Sequence, residues 1–327
     1  MREHEDNIKK EFERLEGNES QSNEKIVDLG RVENPMGTRK VTSDDPEIRR
    51  INELTGYIGL DLSKLPSSGK FYRDDFEIHI RPARVSEIRD FSTMDEESIR
   101  DVDEKLNSIL VSCTKVMYGK QRGSYKDILE EDRIYVILSI RELTFKDGES
   151  KLMMPVKGKK CQTSSCNAQE SVELRTDTLQ YQIVDDLLEK YYNPESKCYA
   201  VETKNHGIIN MAPPTIGVMR AVTEWVRQRE SEGKSWDKSF LAIIPYLQRE
   251  WRGWDDKEIF NAATNLQGWG AGKYSLVYRL AEKMKIGIKP EMKFPCQSCG
   301  AEVTVPLTFP GGIKALFVIS DIDSELL

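Results

Sequence analysis

"FPCQSCG", residues 294–300, places two thiols two residues apart, with a proline before the pair and a glycine after it. Two cysteines so spaced form half of a tetrahedral metal site, because a tight turn lets both thiolates reach one ion. The other half is "KCQTSSCN", residues 160–167, where four residues separate Cys161 from Cys166. Both spacings suit a metal knuckle. Short strands are expected on either side of each pair, over 152–160 and 169–174 and over 291–295 and 301–307. The pattern predicts a zinc ribbon split in sequence, with Cys161, Cys166, Cys296 and Cys299 holding one structural zinc ion. The long gap between the halves is no obstacle. Loop closure costs only about 0.6 kcal/mol more per doubling of length, whereas structural zinc contributes about 10–16 kcal/mol at neutral pH. Four thiolates leave no open coordination position, so the ion is expected to be a staple and not a catalyst.

The rest of the 327-residue chain is read outward from this clip. The fold class expected is α+β, with a small N-terminal α/β unit over 51–150. The ribbon halves fall at 151–176 and 288–327, and a helical insert over 177–287 separates them. Residues 1–50 carry dense charge of both signs and a single aromatic, Phe12, so a disordered arm is expected there. In "FEIHIRP" the alternation of Phe76, Ile78 and Ile80 with Glu77, His79 and Arg81 predicts a half-buried strand. A three-and-four apolar stripe from Ile99 to Met117 predicts a helix over 95–117 capped by Asp95, and a second helix is expected over 131–143. Further helices are expected at 178–192, from Pro214 to about 230, and at 237–251, 256–266 and 273–285. A hairpin turning at Asn205–Gly207 is expected within "CYAVETKNHGIINMA". All five tryptophans fall between residues 225 and 269, a cluster that needs either its own core or a partner surface.

Several functions are disfavoured. The apolar runs are far too short to cross a bilayer, so no membrane insertion is expected. The opening "MREHEDNIKKEFERLEG" does not read as a secretory signal, which points to a cytoplasmic protein whose paired cysteines bind metal rather than each other. Cys113 and Cys198 stand alone and are read as small buried hydrophobes. "LQGWGAGKYSL" lacks the glycine spacing and the hydroxyl of a phosphate-binding loop, and reads as a turn before a helix. None of the three histidines lies beside a nucleophile in a hydrolase-like motif. A nucleic-acid-binding zinc ribbon is the alternative reading, favoured by "KGKK" and "YGKQRGSYK" but opposed by a net charge of −7.

"LPSSGKFY", Leu65 to Tyr72, followed by "EIHIRPARVSEI", resembles the opening of the zinc-knuckle-containing baseplate hub proteins of T-even-type contractile-tailed bacteriophages. The matching positions are Leu65, Pro66, Ser67, Gly69, Phe71 and Tyr72, then Arg81, Pro82 and Glu87. Asp132–Arg133, Ile140–Arg141, the two cysteine pairs and Val303–Leu307 match later features of the family. The similarity spans 60–166 and 291–310; the longer first knuckle and the Trp-rich insert depart from it. The resemblance implies a non-enzymatic structural or assembly role. Hub, spike or tail-tube proteins would be the partners, in several copies per particle. The protein would act in the host cytoplasm during assembly and then reside in the virion tail baseplate.

Overall fold

The computed structural model describes residues 54–146, 150–158, 160–163, 165–234, 242–247 and 256–318. The arm 1–50, Trp236, Trp251, Trp254 and most of the helix expected over 237–251 lie outside the described residues. The described part of that last segment holds a short 3-10 turn, Ile244–Tyr246.

Strand β1 (Ile58–Gly59) pairs antiparallel with β2 (Phe76–Ile80), whose alternating side chains are buried and half-buried in turn, as the sequence pattern requires. Helix α1 (Val85–Ser92) and helix α2 (Ile99–Cys113) follow. Next come β3 (Thr114–Tyr118), β4 (Gln121–Arg122) and helix α3 (Arg133–Thr144). The four strands form one antiparallel sheet in the order β1-β2-β3-β4. Helix α2 differs from the expected 95–117 at both ends. Its cap is Ser98, whose hydroxyl accepts the Asp101 N–H at 3.2 Å, and Ile99 at the first helical position is 88% exposed. At the other end Thr114 leaves the helix, and Thr114–Tyr118 pairs along its whole length with β2. Helix α3 is buried nearly all round, with Val136, Ile137 and Ile140 fully inaccessible, and forms the centre of the N-terminal core.

Strands β5 (Met153–Pro155) and β6 (Ser171–Glu173) form the first of two hairpins that carry cysteines. Then come β7 (Tyr181–Gln182), the one-turn helix α4 (Asp186–Glu189), β8 (Tyr192–Asn193), β9 (Cys198–Thr203) and β10 (Gly207–Met211). The continuous helix expected over 178–192 is therefore corrected to a strand, a single turn and a second strand. Asp185 caps the turn by accepting the Leu187 N–H at 2.9 Å, which leaves Ile183 and Leu187 exposed at positions where the stripe would bury them. The expected hairpin forms between β9 and β10, with Gly207 opposite Thr203 and a positive φ of 68° at the glycine.

Helices α5 (Ile216–Ser231), α6 (Asp256–Gln267) and α7 (Ala271–Lys283) supply the helical part of this region. Strand β11 (Gly287–Ile288) pairs with β7, and β12 (Glu291–Pro295) with β13 (Glu302–Pro306) makes the second cysteine hairpin. With helices and antiparallel sheets both present and largely segregated, the fold class is α+β.

Residues 177–287 share their core with the N-terminal sheet. Phe71 meets the rings of Tyr192 and Tyr199 edge-on, with centroids 5.8 and 5.6 Å away. The Ile216 N–H bonds to Ile128 O at 2.8 Å and the Glu130 N–H to Pro214 O at 3.0 Å. Trp225 is buried, and Trp269 is half-buried with the Lys273 ammonium 4.2 Å from its ring centroid. No helix among the described residues is long and apolar enough to cross a membrane.

Candidate metal centre

Each cysteine pair sits on the turn of its hairpin, and local backbone bonds shape both turns. In the first, the Cys161 N–H bonds to Gln169 O at 2.7 Å and the Cys166 N–H to Thr163 O at 2.9 Å. In the second, the Cys296 N–H bonds to Ala301 O at 2.7 Å and the Gly300 N–H returns to Cys296 O at 2.8 Å. The residue after the second cysteine is left-handed in both knuckles, Asn167 with φ 51° and Gly300 with φ 74°. Asparagine and glycine are the residues that tolerate this conformation best.

The hairpins meet side by side. The Lys157 N–H reaches Thr304 O at 2.8 Å, and the Gln297 N–H donates to Gln169 Oε1 at 3.3 Å. Met154, Met292 and Val305, each fully buried, fill the space between them. This packing brings all four predicted ligands together, with the Sγ atoms of Cys161, Cys166, Cys296 and Cys299 within 4.8 Å of one another. Cys161 Sγ lies 3.8 Å from Cys299 Sγ, and Cys166 Sγ lies 3.6 Å from Cys296 Sγ. Four sulfurs at about 2.3 Å from one tetrahedral ion stand about 3.8 Å apart, so the cluster could hold a single metal ion.

The electrostatics point the same way. The Thr163 hydroxyl and N–H, aimed at Cys161, draw its thiol below the ordinary range. The N–H of Ser298, helped by that of Cys299, brings Cys296 down to about 6 against the effect of burial. For Cys299 the Ala301 N–H pulls downward, but burial and the three neighbouring sulfurs outweigh it and push the thiol up to about 11. Thiolates this close cannot all ionise side by side unless a cation lies between them. Thr163, Ser298 and Ala301 were not singled out from sequence. The one signal for Thr163 and Ser298 is the small polar residues in the two turns, "QTSS" and "QS"; Ala301 acts through its backbone N–H and leaves no such signal.

The remaining cysteines are apart from the cluster. Cys113 is fully buried, and burial pushes its thiol up to about 12; its Sγ lies 3.4 Å from Glu87 Oε2. Cys198 is buried with its Sγ 3.1 Å from Ser196 Oγ.

A second polar cluster joins Asp132 to Ser67 and Tyr72 of "LPSSGKFY". Asp132 is fully buried, and its carboxylate accepts the Ser67 N–H at 2.9 Å, the Ser67 hydroxyl at 2.6 Å and the Tyr72 hydroxyl at 2.7 Å. Tyr72 Oη in turn accepts the Leu129 N–H at 3.0 Å. Separately, just past the far end of β2, Arg81 binds both carboxylate oxygens of Glu87 and the Ser112 carbonyl, and the first of these contacts holds the Glu87 carboxyl down at about 2. These groups are satisfied within the protein, as a structural network is. Comparison with protein families, with curated proteins and with solved structures finds nothing that matches this chain.

Proposed function

We propose that the four cysteines bind one structural zinc ion, and that the protein is a non-enzymatic structural or assembly component of a contractile-tail baseplate. The observation that carries the zinc reading is the closed set of four sulfurs within 4.8 Å, contributed by hairpins from distant parts of the chain. All-thiolate tetrahedral coordination is the preference of zinc among common divalent ions, and it leaves no position for water or substrate. The baseplate reading is supported by the residues that resemble hub proteins. Ser67, Tyr72 and Asp132 are separated in sequence yet meet in one buried network, as expected of a motif that builds a scaffold.

Two measurements test the two halves of this reading. Elemental analysis of the purified protein should give one zinc per chain, and cobalt substitution should give the absorption of a tetrahedral tetrathiolate site. A folded, metal-free protein would overturn the zinc assignment. Mass spectrometry of purified particles should find the chain at a fixed ratio to the tail proteins, or find it abundant in infected cells and bound to hub intermediates. Retention on DNA or RNA that falls steeply with salt, without any tail association, would replace the baseplate reading with a nucleic-acid-binding one.

A further inference from the structure

The four cysteines are not equally exposed. Cys161 and Cys296 are 1% and 2% exposed, Cys166 is half-buried, and Cys299 is exposed. With all four sulfurs held as thiolates by the ion, their reaction with an oxidant in solution is set by access. The sulfur contacts at 3.8 Å and 3.6 Å each cross from one knuckle to the other, Cys299 to Cys161 and Cys296 to Cys166. We infer that Cys299 is the oxidation site of the cluster, and that its oxidation links it to Cys161, exchanging a metal staple between the two hairpins for a disulfide staple. This rests on the zinc reading above.

The oxidant is a peroxide. The Cys299 sulfur attacks one peroxide oxygen and breaks the O–O bond; the sulfur becomes a sulfenic acid and the other oxygen leaves as hydroxide, which takes up a proton to form water. The Cys161 thiolate then attacks the sulfenic sulfur, an S–S bond forms, and a second hydroxide leaves and is protonated. Two thiolates have lost two electrons in total, and one peroxide has become two waters. Two of the four ligands are consumed, so the ion is released with Cys166 and Cys296 still reduced. The cross-link keeps Cys161 joined to Cys299 after the ion has gone. Had the bridges formed within each knuckle, release would instead separate the hairpins. A dithiol reductant reverses the bridge by exchange and restores the ligands.

The experiment uses the full chain, with zinc content measured first. Hydrogen peroxide is then added, released zinc is followed with a chromogenic chelator, and disulfides are located by non-reducing peptide mapping. Zinc release should parallel the appearance of the Cys161–Cys299 cross-linked peptide, and dithiothreitol with added zinc should reverse both. In the zinc-loaded protein, iodoacetamide should modify Cys299 at least about tenfold faster than Cys161 or Cys296. A protein that binds no zinc overturns the metal reading and this inference with it. A zinc-loaded protein that yields Cys161–Cys166 or Cys296–Cys299 bridges, or releases zinc with Cys299 still reduced, overturns this inference alone.

Discussion

Asp132 shows how one side chain can tie together stretches of sequence that give no local sign of meeting. Its carboxylate accepts three hydrogen bonds from Ser67 and Tyr72, which would favour ionisation, but complete burial, with no cation among the described residues at hydrogen-bonding distance, outweighs them. The folded carboxyl is raised from 3.8 to about 6. Between these values the native state holds a proton that the unfolded state has lost, so stability falls as pH rises through this window. The shift corresponds to about 3 kcal/mol, absent below pH 3.8 and fully felt above about pH 6. Neighbouring Glu131, whose buried Oε2 has no hydrogen-bond partner among the described residues, is also pushed up by burial and titrates with the same sign. Asp132→Asn should remove the contribution of residue 132 and keep that of Glu131. At pH 5 the variant should be less stable by about 1–3 kcal/mol, because an amide N–H₂ then faces donors. Its urea midpoint should also vary less between pH 4 and 6 than that of the parent. Comparing the two proteins cancels the pH dependence of the thiol cluster, and equal slopes would show that Asp132 does not carry the titration.

At the scale of elements, the segment around Ile313–Phe317 makes long-range contacts with helix α1 and the loop after it. The 3-10 turn Ile313–Leu316 receives a side-chain acceptor from afar, because Glu96 Oε1 takes the Lys314 N–H at 2.9 Å. Just beyond the turn, Phe317 meets Phe91 of α1 edge-on at 5.1 Å, and both rings are 1% exposed. Removing a ring so enclosed leaves a cavity, and Phe317→Ala should cost about 3–5 kcal/mol. A loss below 1 kcal/mol in urea unfolding would mean that the segment is only loosely docked. Gly312 should resist substitution for a separate reason: its φ is 80°, and a Cβ there would come within 2.2 Å of Glu96 Oε1. None of this docking was legible in the sequence, because Glu96 and Phe91 lie far from Lys314 and Phe317 along the chain and no local pattern links them. Elements whose signal is local were legible. The Phe76–Ile80 alternation, the β9–β10 turn and the helix after Pro214 all carry their information within a few residues. Elements decided by a distant partner were not. Val116 and Met117 fit the helical stripe of α2 as well as they fit a strand, and only pairing with β2 tells the two apart. Likewise, Tyr181–Gln182 becomes a strand because Gly287–Ile288 lies beside it. The four cysteines are the exception, since a metal site would fix the residue type and the knuckle spacing regardless of what lies between the pairs.

For the whole molecule, the question is how much of the fold would depend on the proposed metal clip. The cysteine hairpins have a modest apolar interior, chiefly Met154, Val156, Met292, Val303 and Val305, and their strands are three to five residues long. Two-stranded hairpins of this size are marginal alone in water. Ion pairs on their surface, such as Lys157–Glu291 and Lys293–Glu302, have side chains about half exposed or more and add little. The N-terminal sheet is better provided, because α3 is buried nearly all round and the aromatic contacts from Phe71 tie β8 and β9 to it. Stability should therefore be uneven, with the clip as the locally weak unit once metal is withdrawn. Chelation of zinc under reducing conditions should accelerate amide hydrogen exchange in 152–174 and 291–306, by a factor of at least about 100 if the metal contributes even 3 kcal/mol there. Amides of β2, β3, α2 and α3 should keep most of their protection. Uniform loss of protection across the chain would mean that the ion supports the entire core. Unchanged exchange in both hairpins would mean that Met154, Met292 and Val305 suffice without it, and the four sulfurs would then need an explanation other than a structural site.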